Sequence, residues 1–586
     1  MSIQTDLTSR VAGAFAAIGL EPALGEVVPS QRPELAQFQC NGALAAASAA
    51  GRSPREIAQD VIDHLGTDPV FAELAVAGPG FINITVTDDF LAGSMNAMGA
   101  SERLGVEPGP GGRTIIDYGG PNVAKELHVG HLRTAIIGES MKRCLRFAGH
   151  DVIGDVHLGD WGLQMGQLIA EMERRRPDLP YFDRAYTGPY PDESPVTVDE
   201  LNDLYPHAAA HSEEDPEFAS AARQATFELQ DGHRGYRALW EHFRAVSVAA
   251  MKEVYSDLGV QFERWYGEST VHHRMGPMVQ ALQDRGVATE VDGAILVDVS
   301  LPDDNKEIPP FVVVKSDGAY LYTTTDLATI ADRAEDGFTD CIYVVDVRQS
   351  DHFEQLFRAA RKGKIAPESM ILEHAGNGLV NGPDGRPLKT RAGNLPLLRS
   401  LIADAIALAE ERMRERNFAE GYPEAERAAV ARLVGLAALK YGDLQNHRTS
   451  NYIFDLERFT SFEGKTGPYL LYGAVRMQSI LRETAARGME PGPIVAPANE
   501  HDRNLTLRLL RFPEVLGRAI EHRAPNQIAE HAYDVVADFN RFYEACRIVD
   551  QPDAHIRGSW LRLVEAAHRQ LATLLDLLVI AIPERM

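Results

Sequence analysis

A chain of 586 residues, 45% hydrophobic and 24% charged, has the composition of a globular protein and is too long for a single hydrophobic core. Its formal charge of -26 argues against a general polyanion binder, yet the charge is uneven: residues 456–586 carry a net charge of -1 and residues 1–455 carry -25. The cysteines Cys40, Cys144, Cys341 and Cys546 form no C-x-x-C pair and no run of about 18 apolar residues occurs, so neither a zinc knuckle, a disulfide framework nor a membrane span is signalled and a cytoplasmic setting is expected.

The first elements read as a small α+β module. Leu7, Val11, Phe15, Ile18 and Leu20 recur at helical spacing, and FINITVTD (81–88) alternates as a half-buried strand does. GVEPGPGG (105–112) has the composition of a linker, which places a boundary after residue 112.

A strand is predicted over 114–118, followed by a Gly-Gly-Pro turn and a polar loop. A helix is predicted from about 129 to 149, with Leu132, Ile136, Met141, Cys144, Leu145 and Ala148 on one face and Gly149 as its stop. The apolar run 151–157 supplies the next strand, and strand, helix, strand is the opening of a doubly wound α/β sheet. Residues of about 175–235, with acidic clusters (Asp192, Glu193; Glu213, Glu214, Asp215) and several prolines, read as an insertion. Further strands are expected at 294–300, 311–315 and 342–347. From Leu397 onward the pattern is helical. The predicted organisation is therefore an N-terminal α+β domain (1–112), an α/β doubly wound, parallel-sheet (Rossmann-like) domain with insertions and connecting helices (113–455), and an all-α helical bundle (456–586).

Chemistry concentrates where the first predicted strand's loop enters its helix, at His128-Val129-Gly130-His131. A helix N-terminus offers unpaired N–H groups and partial positive charge to phosphate. Gly130 lets a flat ring approach the backbone, and two imidazoles can donate hydrogen bonds to phosphate oxygens as charge builds. Alone, two histidines at a helix start are more often capping or surface residues; an apolar strand and a Gly-Gly-Pro-Asn turn ahead of them favour function. A second element, DGRPLKTRAGN (384–394), sets Lys389 and Arg391 between glycines, as a loop closing over a leaving pyrophosphate would.

Together these segments resemble the class I aminoacyl-tRNA synthetases, and within them the arginyl-tRNA synthetases. IIDYGGPNVAKELHVGHLRTAIIGES (115–140) is similar to that family's extended HIGH signature, and DGRPLKTRAGN to its degenerate KMSKS loop. GDWGLQMGQLI (159–169), DGAYLYTTTDLAT (317–329), YVVDVRQSDHFEQL (343–356), KTGPYLLYGAVRMQSIL (465–481) and the terminal LATLLDLLVIAIPERM follow in order, so the resemblance runs from residue 81 to 586.

The resemblance implies an ATP-dependent arginine–tRNA ligase that forms arginyl-adenylate and esterifies the 3′-terminal adenosine of tRNA(Arg). Its ATP would be held by His128, Gly130, His131 and Lys389, with Arg391 and Lys125 assisting catalysis. Lys125 would replace the second lysine that the loop lacks. Arginine would be held by Asp117, Asn122, Tyr322, Asp326 and Gln349, carboxylates being the natural partners of a planar guanidinium. Two features depart from the family pattern: Gly119 and Gly120 stand where many relatives carry serine, and the loop reads Lys-Thr-Arg-Ala-Gly.

For RNA, the resemblance implies an elbow contact by the N-terminal domain and anticodon binding by the helical tail. In the tail, Tyr533, Arg541 and Arg547 are candidate contacts. ATP is expected with Mg2+ as a substrate complex, with no protein-bound structural metal, no membrane contact and a monomeric state. In this family activation often requires bound tRNA. The alternatives are an inactive RNA-binding paralogue, against which His128, His131 and Lys389 stand, and a class I synthetase for another amino acid, against which the paired acids Asp117 and Asp326 stand.

Overall fold

The apolar run after the linker forms β1 (Arg113–Tyr118), with Ile115, Ile116 and Tyr118 fully buried. A central parallel strand is covered on both faces and so reads as a continuous apolar run. The computed structural model describes residues 2–32, 34–109, 111–388, 395–418 and 420–586. Beyond β1 come α1 (Val129–Phe147), β2 (Asp151–Asp155), α2 (Tyr322–Glu335), β3 (Asp340–Val344), α3 (Ser350–Lys362) and β4 (Ile371–His374).

The strands form one parallel sheet in the order β4-β3-β1-β2, with Ile115 opposite Cys341 on one side and Ile153 on the other. On one face Leu327 and Ile330 of α2 and Leu356 of α3 share a core with Ile115 and Cys341. The close fit of α1 to the sheet depends on Gly138, where a Cβ would fall 2.3 Å from the Tyr118 ring. Chain order reverses between β1 and β3, and in doubly wound sheets ligands bind at the carboxyl ends of the strands at such a switch point.

The structure corrects the expected sheet in one respect. The strands near 294–300 and 311–315 lie outside the parallel sheet. With Ala288–Val291, the segments Ala294–Val297 and Phe311–Val314 form a separate three-stranded antiparallel sheet. Asp292 and Gly293 supply the cause: both have positive φ (50° and 80°) in the two-residue turn of a tight hairpin, which forces antiparallel pairing. The strand expected at 342–347 is β3. The insertion near 175–235 contains two helices, Val198–Glu214 and Pro216–Asp231; Asp215 caps the second by accepting the Glu217 N–H.

Two compact units result. One comprises Pro110–Thr460 with Leu578–Ile580, the other Met1–Gly109 with Ser461–Leu577 and Ala581–Met586. The second unit unites segments far apart in sequence. Its four-stranded antiparallel sheet (Val27–Pro29, Phe38–Cys40, Phe71–Ala77, Phe81–Val86) accompanies a set of helices that includes Gly467–Ala486, Pro525–Ala545 and Ala554–Leu577. The Arg569 guanidinium joins them by donating to the carbonyls of Gly99, Ser101 and Glu102. Among the described residues, no helix is long and apolar enough to cross a membrane, and the four cysteines are buried.

Candidate active site

A cavity of about 450 Å³ opens at the carboxyl ends of β1 and β3, the switch point of the sheet. One wall is the start of α1. His128 is the N-cap of this helix: its Nδ1 accepts the Gly130 N–H at 3.1 Å, while Nδ1 of His131 accepts the His128 N–H at 3.0 Å. The rings stand 4.0 Å apart. Burial, with the neighbouring His128, holds His131 down at about 3, and burial together with Lys125 lowers His128 as well. Both rings are thus neutral at pH 7. Because each Nδ1 is an acceptor, each proton sits on Nε2, leaving two Nε2–H donors at a helix N-terminus. Leu398 N–H donates to the Leu127 carbonyl and Val129 N–H to that of Pro396, which pins the chain beyond the second motif to the first.

The opposite wall carries acid. Asp117 at the end of β1 and Asp326 on α2 border the same cavity. Asp117 is buried, and its Oδ2 accepts from the guanidinium of Arg333 at 2.6 Å. Burial pushes the Asp117 carboxyl above its ordinary value even with that guanidinium beside it. Asp326 Oδ2 lies 2.7 Å from His352 Nε2. Tyr322, one helical turn before Asp326, is 59% exposed with its ring 5.1 Å from that of His352, and it stands outside the cavity lining. Gln349 ends a single 3-10 turn, is exposed, and does border the cavity.

The remaining predicted residues are less central. Asn122 is not in the lining; it is held beside Gly159, where a Cβ would come 2.0 Å from its Oδ1. Gly159 must therefore stay bare for Asn122 to keep its place. Lys125 lies over the Tyr205 ring at 4.7 Å and outside the lining, although its charge still acts on both histidines. Lys389 and Arg391 lie outside the described residues; Pro387 and Leu395, on either side of that segment, border the cavity. Gly130 is exposed at the cavity edge, and a Cβ there would come 2.9 Å from His128 Cε1. In the helical tail, Arg541 and Arg547 are exposed, whereas Tyr533 is half-buried beneath the Lys465 ammonium at 5.3 Å. Phe539 and Phe542 are wholly buried, as core aromatics.

The two departures at 119 and 120 have a structural cause. Gly119 has φ +69°, and a Cβ on Gly120 would stand 2.4 Å from the His157 carbonyl oxygen. A serine at 120 does not fit this backbone without a shift.

Sequence reasoning did not single out Glu268 and His352, which stand outside the cavity lining but act on Asp326. Glu268 opens the helix Glu268–Asp284 and accepts the Trp161 N–H at 3.3 Å. Burial, reinforced by Asp160 and Asp326, raises it to about 7 against the opposing pull of His157. In sequence it looks like an ordinary acid at a helix N-terminus. His352 belongs to the segment 343–356, but its partnership with Asp326 spans 26 residues and only the fold creates it.

Residues 1–86 match the family described as arginyl tRNA synthetase N terminal domain, residues 96–456 that of tRNA synthetases class I (R), catalytic domain, and residues 470–586 the DALR anticodon binding domain. The arginine–tRNA ligase of Alkaliphilus oremlandii is 48% identical over 583 residues, 99% of each chain. That of Maricaulis maris is 48% identical over 588 residues, 100% of each. Among solved structures, the arginyl-tRNA synthetase of Plasmodium falciparum superposes with TM-score 0.81 at 24% identity, over 100% of this chain and 98% of that one. The Thermus thermophilus arginyl-tRNA synthetase superposes at 0.79 and 23% identity, over 100% of each. These two speak to the fold alone, while the sequence matches decide the family. On three matched domains and full-length relatives, the chain belongs to the class I arginyl-tRNA synthetases.

Proposed function

We propose that the chain activates L-arginine with ATP and then esterifies the 3′-terminal adenosine of tRNA(Arg). The observation that carries this reading is one cavity with neutral imidazole donors on one wall and carboxylates on the other. The triphosphate lies against the Nε2–H groups of His128 and His131, and adenine against Gly130. The guanidinium is taken by Asp326 and Tyr322, with Glu268 and Asp117 contributing negative charge. Asn122 and Gln349 hold the ammonium and carboxylate.

A carboxylate oxygen of arginine attacks the α-phosphorus in line, the bond to the β-phosphate bridging oxygen breaks, and pyrophosphate leaves. Lys389, Arg391 and Lys125 compensate the charge of the leaving group, and Mg2+ enters with ATP as part of the substrate. A ribose hydroxyl of the terminal adenosine then attacks the adenylate carbonyl and releases AMP. A site built around guanidinium contacts rejects amino acids lacking that group by leaving its own polar groups unpaired.

In the same reading residues 1–112 contact the tRNA elbow, 113–455 perform the chemistry, and 456–586 bind the anticodon, with Arg541, Arg547 and Tyr533 as candidate contacts. The protein works in the cytoplasm as a monomer without a structural metal. The test is attachment of each of the twenty amino acids to one purified tRNA pool. Arginine alone should be attached, and Asp326→Asn should raise its KM at least about tenfold. Attachment of lysine as efficiently as arginine would overturn the assignment.

A further inference from the structure

Arg333 lies on α2, seven residues after Asp326, and is 1% exposed. Its Nη2 donates to Asp117 Oδ2 at 2.6 Å and to Asp155 Oδ2 at 2.8 Å. Asp117 and Asp155 are register partners at the ends of the adjacent parallel strands β1 and β2, so two like charges stand side by side next to the switch point. The guanidinium also lies 5.1 Å from the Tyr343 ring on β3. One side chain of α2 thereby grips β1, β2 and β3 at once.

Its Nε and Nη1 are buried without hydrogen-bond partners. Stability alone gives little reason for this arrangement, since buried ion pairs gain little over well-packed apolar groups. The functional geometry supplies a reason. Asp117 borders the cavity and Arg333 does not, while Asp326 borders it from the helix that Arg333 anchors. Ligand atoms of Asp117, Asp155 and His157 gather within 4.8 Å of one another, a spacing that would otherwise suit a cation. The guanidinium already holds both carboxylates.

We infer that Arg333 is a positioning residue for arginine recognition: a built-in guanidinium that bridges the paired strand-end acids, offsetting one of their two charges, and fixes the helix presenting Tyr322 and Asp326. The inference rests on the arginine-activating reading above. It separates two kinds of acid: Asp117 and Asp155 are hydrogen-bonded to the protein's own guanidinium, Asp117 adding only charge to the cavity, and Asp326 is left to bond that of the substrate. Without Arg333, an uncompensated acid pair beneath the cavity would draw the substrate cation to the wrong depth.

The experiment compares wild type, Arg333→Met, Arg333→Lys and the double variant Arg333→Met/Asp155→Asn as full-length chains. KM for arginine and KM for ATP are measured separately by pyrophosphate exchange with tRNA present. Arg333→Met and the double variant should raise the arginine KM about tenfold or more while the ATP KM stays within about twofold. Arg333→Lys, which keeps the charge but not the fork, should recover part of the loss. If Arg333→Met fails to fold, the double variant, which removes one of the two orphaned carboxylates and so keeps the net charge of the cluster at its wild-type value, carries the test. Arginine and ATP KM rising together, or an unchanged arginine KM in the folded double variant, would overturn the inference while leaving the activity intact. A wild type that attaches no arginine to tRNA sinks the functional reading itself, and the inference with it.

Discussion

At the scale of single residues, the site is built by controlling charge. Burial, with Asp160 and Asp326 nearby, lifts the Glu268 carboxyl to about 7. A cation bound at Asp326, whose charge Glu268 feels, favours the ionised form and expels a proton. The arginine KM should therefore fall as pH rises from 6 to 8, and Glu268→Gln should flatten that profile in steady-state exchange assays. The folded state holds this proton more tightly than the unfolded chain does, so Glu268 makes the fold progressively less stable as pH rises from the ordinary value near 4.5 through about 7. His131 has the opposite sign. Held near 3, it costs stability as pH falls below 6.5, where the unfolded chain takes up the proton first. In the working range it stays a neutral donor, and His131→Ala should lower kcat/KM for activation by about 10²-fold or more, as loss of one transition-state donor does elsewhere.

At the scale of elements, close backbone approach decides the geometry. The turn after β1 places Gly120 against the His157 carbonyl, and α1 sits on the sheet because Gly138 presents only hydrogen to Tyr118. Gly120→Ser should destabilise the protein by about 1–3 kcal/mol through overpacking. Thermal denaturation would register this as a lowered Tm, whereas an unchanged Tm would mean that the turn can relax. The element order strand, turn, helix, strand was legible because β1 is a continuous apolar run and α1 keeps helical periodicity. The pairing of 294–297 was not, since periodicity says that a strand exists and not which partner it takes. The Asp292-Gly293 dipeptide was the available signal.

At the scale of the whole molecule, the first 109 residues share a compact unit with the C-terminal helices, apart from the unit that holds the site. In the proposed reading, RNA binding in that unit and chemistry in the other suit an enzyme whose first step waits for the RNA substrate of its second. Pyrophosphate exchange by the protein alone should be negligible and should appear when tRNA(Arg) is added. Robust exchange without RNA would remove that dependence. Basic contacts with phosphate predict further that the KM for tRNA rises with ionic strength, because each contact releases counterions and that gain shrinks with salt faster than screening relieves the repulsion from the acidic chain.

The sequence by itself determined the family, the parallel-sheet opening and the histidine pair, because these rest on local order: apolar runs, helical spacing and a motif whose members are chain neighbours. It also named Asp117 and Asp326, 209 positions apart, as acids of one pocket. Tertiary structure alone decided what surrounds them. Arg333 claims Asp117, His352 meets Asp326, and Glu268 is raised by burial and by acids from other segments. Burial and through-space charge depend on which segments fold together, and no spacing along the chain records that.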